Sequence, residues 1–154
     1  MDNMWQRRCA KPETVTTSTL ECSQSGLADY LIQRDEPLVI EQLVAEWPLV
    51  QAAKASNESL CDYLLEFDRG AVVDAIRLPA SADGRMFYND DINGFNFSRA
   101  KMSFKSALGA LLADQYNPTA ETLYVGSTTV DTCLPGLLGK NKIAIESLEP
   151  LGTL

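Results

Sequence analysis

Four short runs rich in β-forming residues are spaced along this chain, with helical segments between most of them. The runs are "PLVIEQL" (37–43), "AVVDAIRL" (71–78), "RMFYN" (85–89) and "TLYVGSTTV" (122–130). Four strands cannot close a barrel or complete a sandwich. The expected fold is therefore α+β, with helices packed on a small, incomplete sheet. At 154 residues the chain suits a single domain.

The helices are read from period and punctuation. Leu27, Tyr30 and Leu31 recur at i, i+3, i+4, which predicts a first helix from near Ser25 that Pro37 stops. Trp47-Pro48 makes a corner with Trp47 as its apolar plug, and Pro48 suits the first turn of a short helix. "SNESLCDYLLEFDRG" carries Leu60, Leu64 and Phe67 on one face with Cys61 beside them. Ser56 or Asn57 is placed to cap it, and Gly70 to supply a left-handed end. Ser103 caps a further helix through Ala113, with Phe104, Ala107, Leu108 and Leu111 on one side. "PASADG" turns at Asp83-Gly84, so 71–89 reads as a hairpin-like unit. "DDINGFNF" and "DTCLPGLLGKN" read as loops. Residues 1–24, polar and without period, read as a flexible arm ahead of a domain over 25–154.

Composition narrows the chemistry. The chain has 13 basic and 21 acidic residues, a net charge of −8. A nucleic-acid surface needs a basic stripe, so nucleic acid is not an expected partner. No apolar run approaches the ~20 residues of a membrane span, and the N-terminus has no apolar signal segment. The four cysteines form no Cys-x-x-Cys pair, which fits free thiols in a cytoplasmic setting. There is no histidine. That removes Ser-His-Asp and Cys-His catalysis and an ordinary zinc site from this chain.

A few constellations remain. Asn89, Asp90, Asp91 and Asn93 put four oxygen-bearing side chains within five residues, enough to raise Mg²⁺ or Ca²⁺. The spacing fails the EF-hand pattern, and Asx turn chemistry accounts for the same residues. Tyr88 and Tyr124 lie on or beside expected strands, where each hydroxyl needs a protein or ligand partner. Cys133, with no nearby base, reads as a small buried hydrophobe.

Three stretches fall in one order: "PLVIEQLVAEWPLV", "GRMFYNDDINGFNFSRAKMSFKSALGALL" and "LYVGSTTVDTCLPGLLGKNKIAIESLEPLGTL". Together they resemble the N-terminal part of the bacterial cupin-like proteins. These are relatives of the JmjC hydroxylases and of the asparaginyl hydroxylase that inhibits the hypoxia-inducible factor. In that family a double-stranded β-helix holds Fe(II) through a His-x-Asp/Glu pair and a distant His, and the iron binds 2-oxoglutarate and O₂. The resemblance implies that Tyr124 in "LYVG" meets the 2-oxoglutarate carboxylate. It implies that Tyr88 and Asp90 in "FYNDD" face substrate, which in the family is a protein, a peptide, RNA or a small molecule. Gly126 departs from the eukaryotic relative, which carries a larger polar residue there.

The same resemblance places "LEPLGTL" just ahead of the iron-binding pair, so the chain reads as truncated before the metal-binding core. Fe(II) and 2-oxoglutarate are thus implied for the full-length family member, and no metal ligand is expected here. The chain alone is expected to be inactive, with its apolar tail (Leu148, Leu151, Leu154) covered in a homodimer or by a missing C-terminal half. The competing reading is a non-enzymatic, self-associating module derived from the same family.

Overall fold

The computed structural model describes residues 13–16, 36–126 and 128–143. The helix expected near Ser25 and the apolar tail after Ile143 lie outside the described residues. The chain divides into two compact units, one comprising residues 1–46 and 142–154, the other Trp47–Asn141.

In the first unit, strand β1 (Glu13–Thr16) pairs in parallel with β2 (Leu38–Glu41), running from Glu13 opposite Leu38 to Thr16 opposite Glu41. The "LVIE" core of the first expected strand is thus a strand. Its partner falls inside the segment read as a flexible arm: "ETVT" is four residues of β-compatible chain that need only a neighbour to complete their hydrogen bonds.

The second unit is a helix-backed antiparallel sheet. Helix α1 (Pro48–Ala55) begins on Pro48, and Ser56 ends it. Ser56 then caps α2 (Asn57–Leu65), its hydroxyl accepting from the Ser59 amide at 3.0 Å. Asp68 closes that region, its Oδ1 accepting from the amides of Gly70 and Ala71 at 2.9 and 3.0 Å. Gly70 takes φ +81°, a conformation that glycine adopts without a Cβ clash. The chain then enters β3 (Val72–Leu78), the central strand of order β4-β3-β5.

The hairpin expected over 71–89 does not form. The antiparallel partner of β3 is β4 (Ser98–Ser103), from Val72 opposite Ser103 to Arg77 opposite Ser98. Its other edge holds β5 (Thr122–Val125). With both edges occupied, "RMFYN" has no ladder on β3 to join, and it forms one isolated bridge between Tyr88 and Phe95. "SRAKMS" is polar and lacks branched residues, so its strand character comes from pairing rather than propensity.

Helix α3 (Phe104–Asp114) starts on the Ser103 cap and buries Ala107 and Leu108, while Leu111 stays exposed. Two single-turn helices, α4 (Val130–Cys133) and α5 (Leu137–Lys140), replace the expected loop. Cys133, Leu134 and Leu137 from this region join Val73 and Ala107 in the core. Tyr63, Leu64, Phe67, Met102 and Val125 pack against them. Cys133 is thus the buried hydrophobe expected of it. Cys61 is also buried and free, and burial together with Asp62 and Glu58 pushes its thiol above the ordinary value. Trp47 is half-buried at its corner rather than a full core plug.

One buried polar group holds the helices of this unit together. Asn141 accepts from the Leu49 amide at 3.0 Å. Its side-chain amide donates to the Tyr63 hydroxyl at 3.1 Å and to the Leu137 carbonyl at 2.8 Å. It thus links the start of α1, the middle of α2 and α5. Replacing it with leucine strands a backbone amide and a tyrosine hydroxyl in a low-dielectric site. Asn141→Leu is expected to destabilise the protein by about 2–3 kcal/mol, read as a lower denaturant midpoint with little change in slope.

Candidate functional site

The sheet has one covered and one open face. Val73, Ala75, Met102 and Val125 share the face toward the core. Side chains alternate along a strand, so Asp74 and Ile76 point the other way. Arg99 and Tyr124 lie directly opposite Ile76 on its two sides, and Lys101 lies opposite Asp74. These residues form the open face.

A concavity of about 310 Å³ sits on it, lined by Asp74, Ile76, Arg99, Tyr124 and Gly126. Tyr124 is 46% exposed, and its hydroxyl has no protein partner among the described residues. Its ring lies over Gly126, in the space where a side chain at 126 would sit. The absence of a side chain at Gly126 is therefore what this tyrosine orientation requires.

Along the same face runs an aromatic ladder. Tyr88 stacks on Phe95 with centroids 5.5 Å apart, and Phe95 stacks on Phe97 at 4.9 Å. The Arg99 guanidinium lies over the Phe97 ring, 5.5 Å from its centroid. Phe87 meets Tyr88 edge to face. The ladder leads from Tyr88 to the concavity that Tyr124 lines, so two of the three site residues read from the sequence belong to one continuous surface. A second depression, about 580 Å³, is lined by Ser81, Asp83, Arg85 and Phe87 among others, and it includes Tyr88.

Asn89 and Asn96 shape the loop beneath the ladder. Asn89 Oδ1 accepts from the amides of Asn93 and Gly94, both at 3.2 Å, and its Nδ2 donates to Asn93 Oδ1 at 2.8 Å. Asn96 Oδ1 accepts from the Phe87 amide at 2.9 Å, while its Nδ2 donates to the Arg85 carbonyl at 2.8 Å. The Asp83-Gly84 turn takes φ of +48° and +70°, as a two-residue left-handed turn needs. Ile92 takes φ +57°, a strained value for a β-branched residue.

Asp90 is exposed in this turn, makes no hydrogen bond to another described residue, and lines neither the concavity of Tyr124 nor the depression that includes Tyr88. The Asn89 and Asn93 oxygens are engaged within the loop, which is the Asx-turn reading of this segment. Among the described residues no group of three His, Cys, Asp or Glu side chains is placed to hold a metal ion.

Sequence reasoning missed Phe95, Phe97 and Arg99. The signal was present: "FNFSR" alternates apolar and polar, a strand period, inside a segment read as loop.

Helices packed on a small sheet with no closed barrel make this a mixed α+β fold, with Tyr124 on the open sheet face. The chain belongs to the cupin-like domain family, whose sequence profile matches residues 25–151. No curated protein and no solved structure matches it. Among the described residues, no helix is long and apolar enough to cross a membrane.

Because the Tyr124 ring occupies the place of a side chain at 126, Gly126→Ala is expected to swing that ring outward. Large shifts of the Tyr124 ring resonances should accompany a stability change within about 0.5 kcal/mol, as for other surface substitutions. Unchanged ring resonances would contradict the packing described.

Proposed function

We propose that this chain carries the co-substrate-facing and substrate-facing surface of a cupin-like Fe(II)/2-oxoglutarate-dependent oxygenase, and that alone it catalyses no turnover. The observation that carries this reading is the shared face: Tyr88 and Tyr124, the residues the family resemblance picks out, are joined by the Tyr88–Phe95–Phe97–Arg99 ladder. In this reading Tyr124 donates its hydroxyl to a carboxylate of 2-oxoglutarate, and Tyr88 and Asp90 contact the substrate, a protein, a peptide or a small molecule. "FYNDD" and "LYVG" support placing the chain near the asparaginyl hydroxylases.

The two implied groups fare differently. A small carboxylate suits the concavity: Tyr124 lines it with a hydroxyl that no described residue engages, beside the Arg99 guanidinium. A 2-His-1-carboxylate iron centre does not fit these residues, because the sequence contains no histidine and the concavity holds a single carboxylate, Asp74. No step through iron is therefore assigned to this chain. The buried thiols Cys61 and Cys133 support a reducing, cytoplasmic setting.

A second reading, self-association without catalysis, is favoured by one observation. β4 and β5 are both edge strands, and the ladder beside them exposes Phe87, Tyr88 and Phe95.

The test is an assay of the purified chain with Fe(II), ascorbate and 2-oxoglutarate. No succinate above the protein-free background is expected. Succinate formation that requires both iron and 2-oxoglutarate would overturn the claim of inactivity.

A further inference from the structure

We infer that Arg99 is a second ligand-binding residue of the Tyr124 concavity, and that together they hold a small carboxylate without a metal. The inference rests on the reading of Tyr124 given above and adds a residue that reading does not use.

Arg99 and Tyr124 flank Ile76 from the two neighbouring strands, directly opposite it on either side. Strands lie about 4.8 Å apart, so the two backbones are separated by roughly 10 Å. Both side chains line the concavity between them, with Ile76 as the apolar floor. That span suits a ligand of a few carbons gripped from both ends.

The Arg99 guanidinium has no carboxylate partner among the described residues. It lies over the face of Phe97, 5.5 Å from the ring centroid. Phe97 is itself stacked on Phe95, which limits where the guanidinium goes. The chain carries 21 acidic residues and 13 basic ones, yet this cation is left facing a concavity rather than neutralised. A planar fork of donors matches a carboxylate in bidentate geometry. Asp74, on the rim opposite Lys101, opposes any anion, so its removal should tighten binding.

The experiment is an amide NMR titration of the full chain with 2-oxoglutarate, succinate and inorganic phosphate at low ionic strength. The proposal expects saturable shifts with both diacids, clustered at 74–76, 99 and 124–126. Arg99→Gln should weaken binding about tenfold, Arg99→Lys should recover part of the loss, and Asp74→Asn should tighten binding. Arg99 is exposed on an edge strand, so the variant spectra should keep their dispersion. If Tyr124→Phe weakens binding and Arg99→Gln does not, the inference falls and the reading of Tyr124 stands. If Arg99→Gln weakens binding and Tyr124→Phe does not, Arg99 stands as a ligand-binding residue, while the reading of Tyr124 and the two-residue grip fall. Phosphate shifts equal to the diacid shifts, or no cluster at these residues, would overturn the proposal.

Discussion

Strand β3 is hydrogen-bonded on both edges, and its two faces meet different surroundings. Val73 and Ala75 face α3 and the short helices, so one side of the sheet belongs to the core. Asp74 and Ile76 face away and fix the register of everything on the open side. A one-residue slip of β4 would send Arg99 and Lys101 into the core and bring Met102 out. The burial of Val73, Met102 and Val125 therefore determines where Arg99 and Tyr124 stand. The candidate site is a consequence of the core.

The helical layer depends on a different kind of contact. Its apolar residues are mostly half-buried, and among its described residues Ala107 alone, at 1%, falls below 2% exposure. A layer with few fully buried side chains gains specificity from directed bonds, and Asn141 supplies three of them across α1, α2 and α5. Gln115 adds a lesser tie at the other end, accepting from Asn57 and donating to Glu58. That bond is the main reason the Glu58 carboxyl sits below its usual range.

Much of this was legible in the sequence, for physical reasons that differ by element. Pro48, Ser56 and Ser103 act through local backbone chemistry, so their positions showed where helices begin, whereas Gly70 takes its left-handed conformation in the turn before β3 and not at the helix end, which falls at Leu65. "VVDAIRL" and "TLYV" have the branched and aromatic residues of strands. "SRAKMS" does not, and "RMFYN" does; a local reading thus paired β3 with the wrong segment. Asn141 was missed because a buried asparagine has no sequence mark of its own. Tyr88 and Tyr124 stood out by their places on or beside expected strands, and the family resemblance gave each an expected role. Arg99 could have been found by carrying the period of two through "FNFSR".

The proposed surface binds a carboxylate without a metal centre. Electron paramagnetic resonance of Mn²⁺ added to the protein in the presence of succinate is the measurement that bears on it. The sharp six-line signal of free Mn²⁺ is expected to keep the intensity it has with succinate alone. Loss of that signal in proportion to protein would show a metal site formed by these 154 residues and would contradict a metal-free surface.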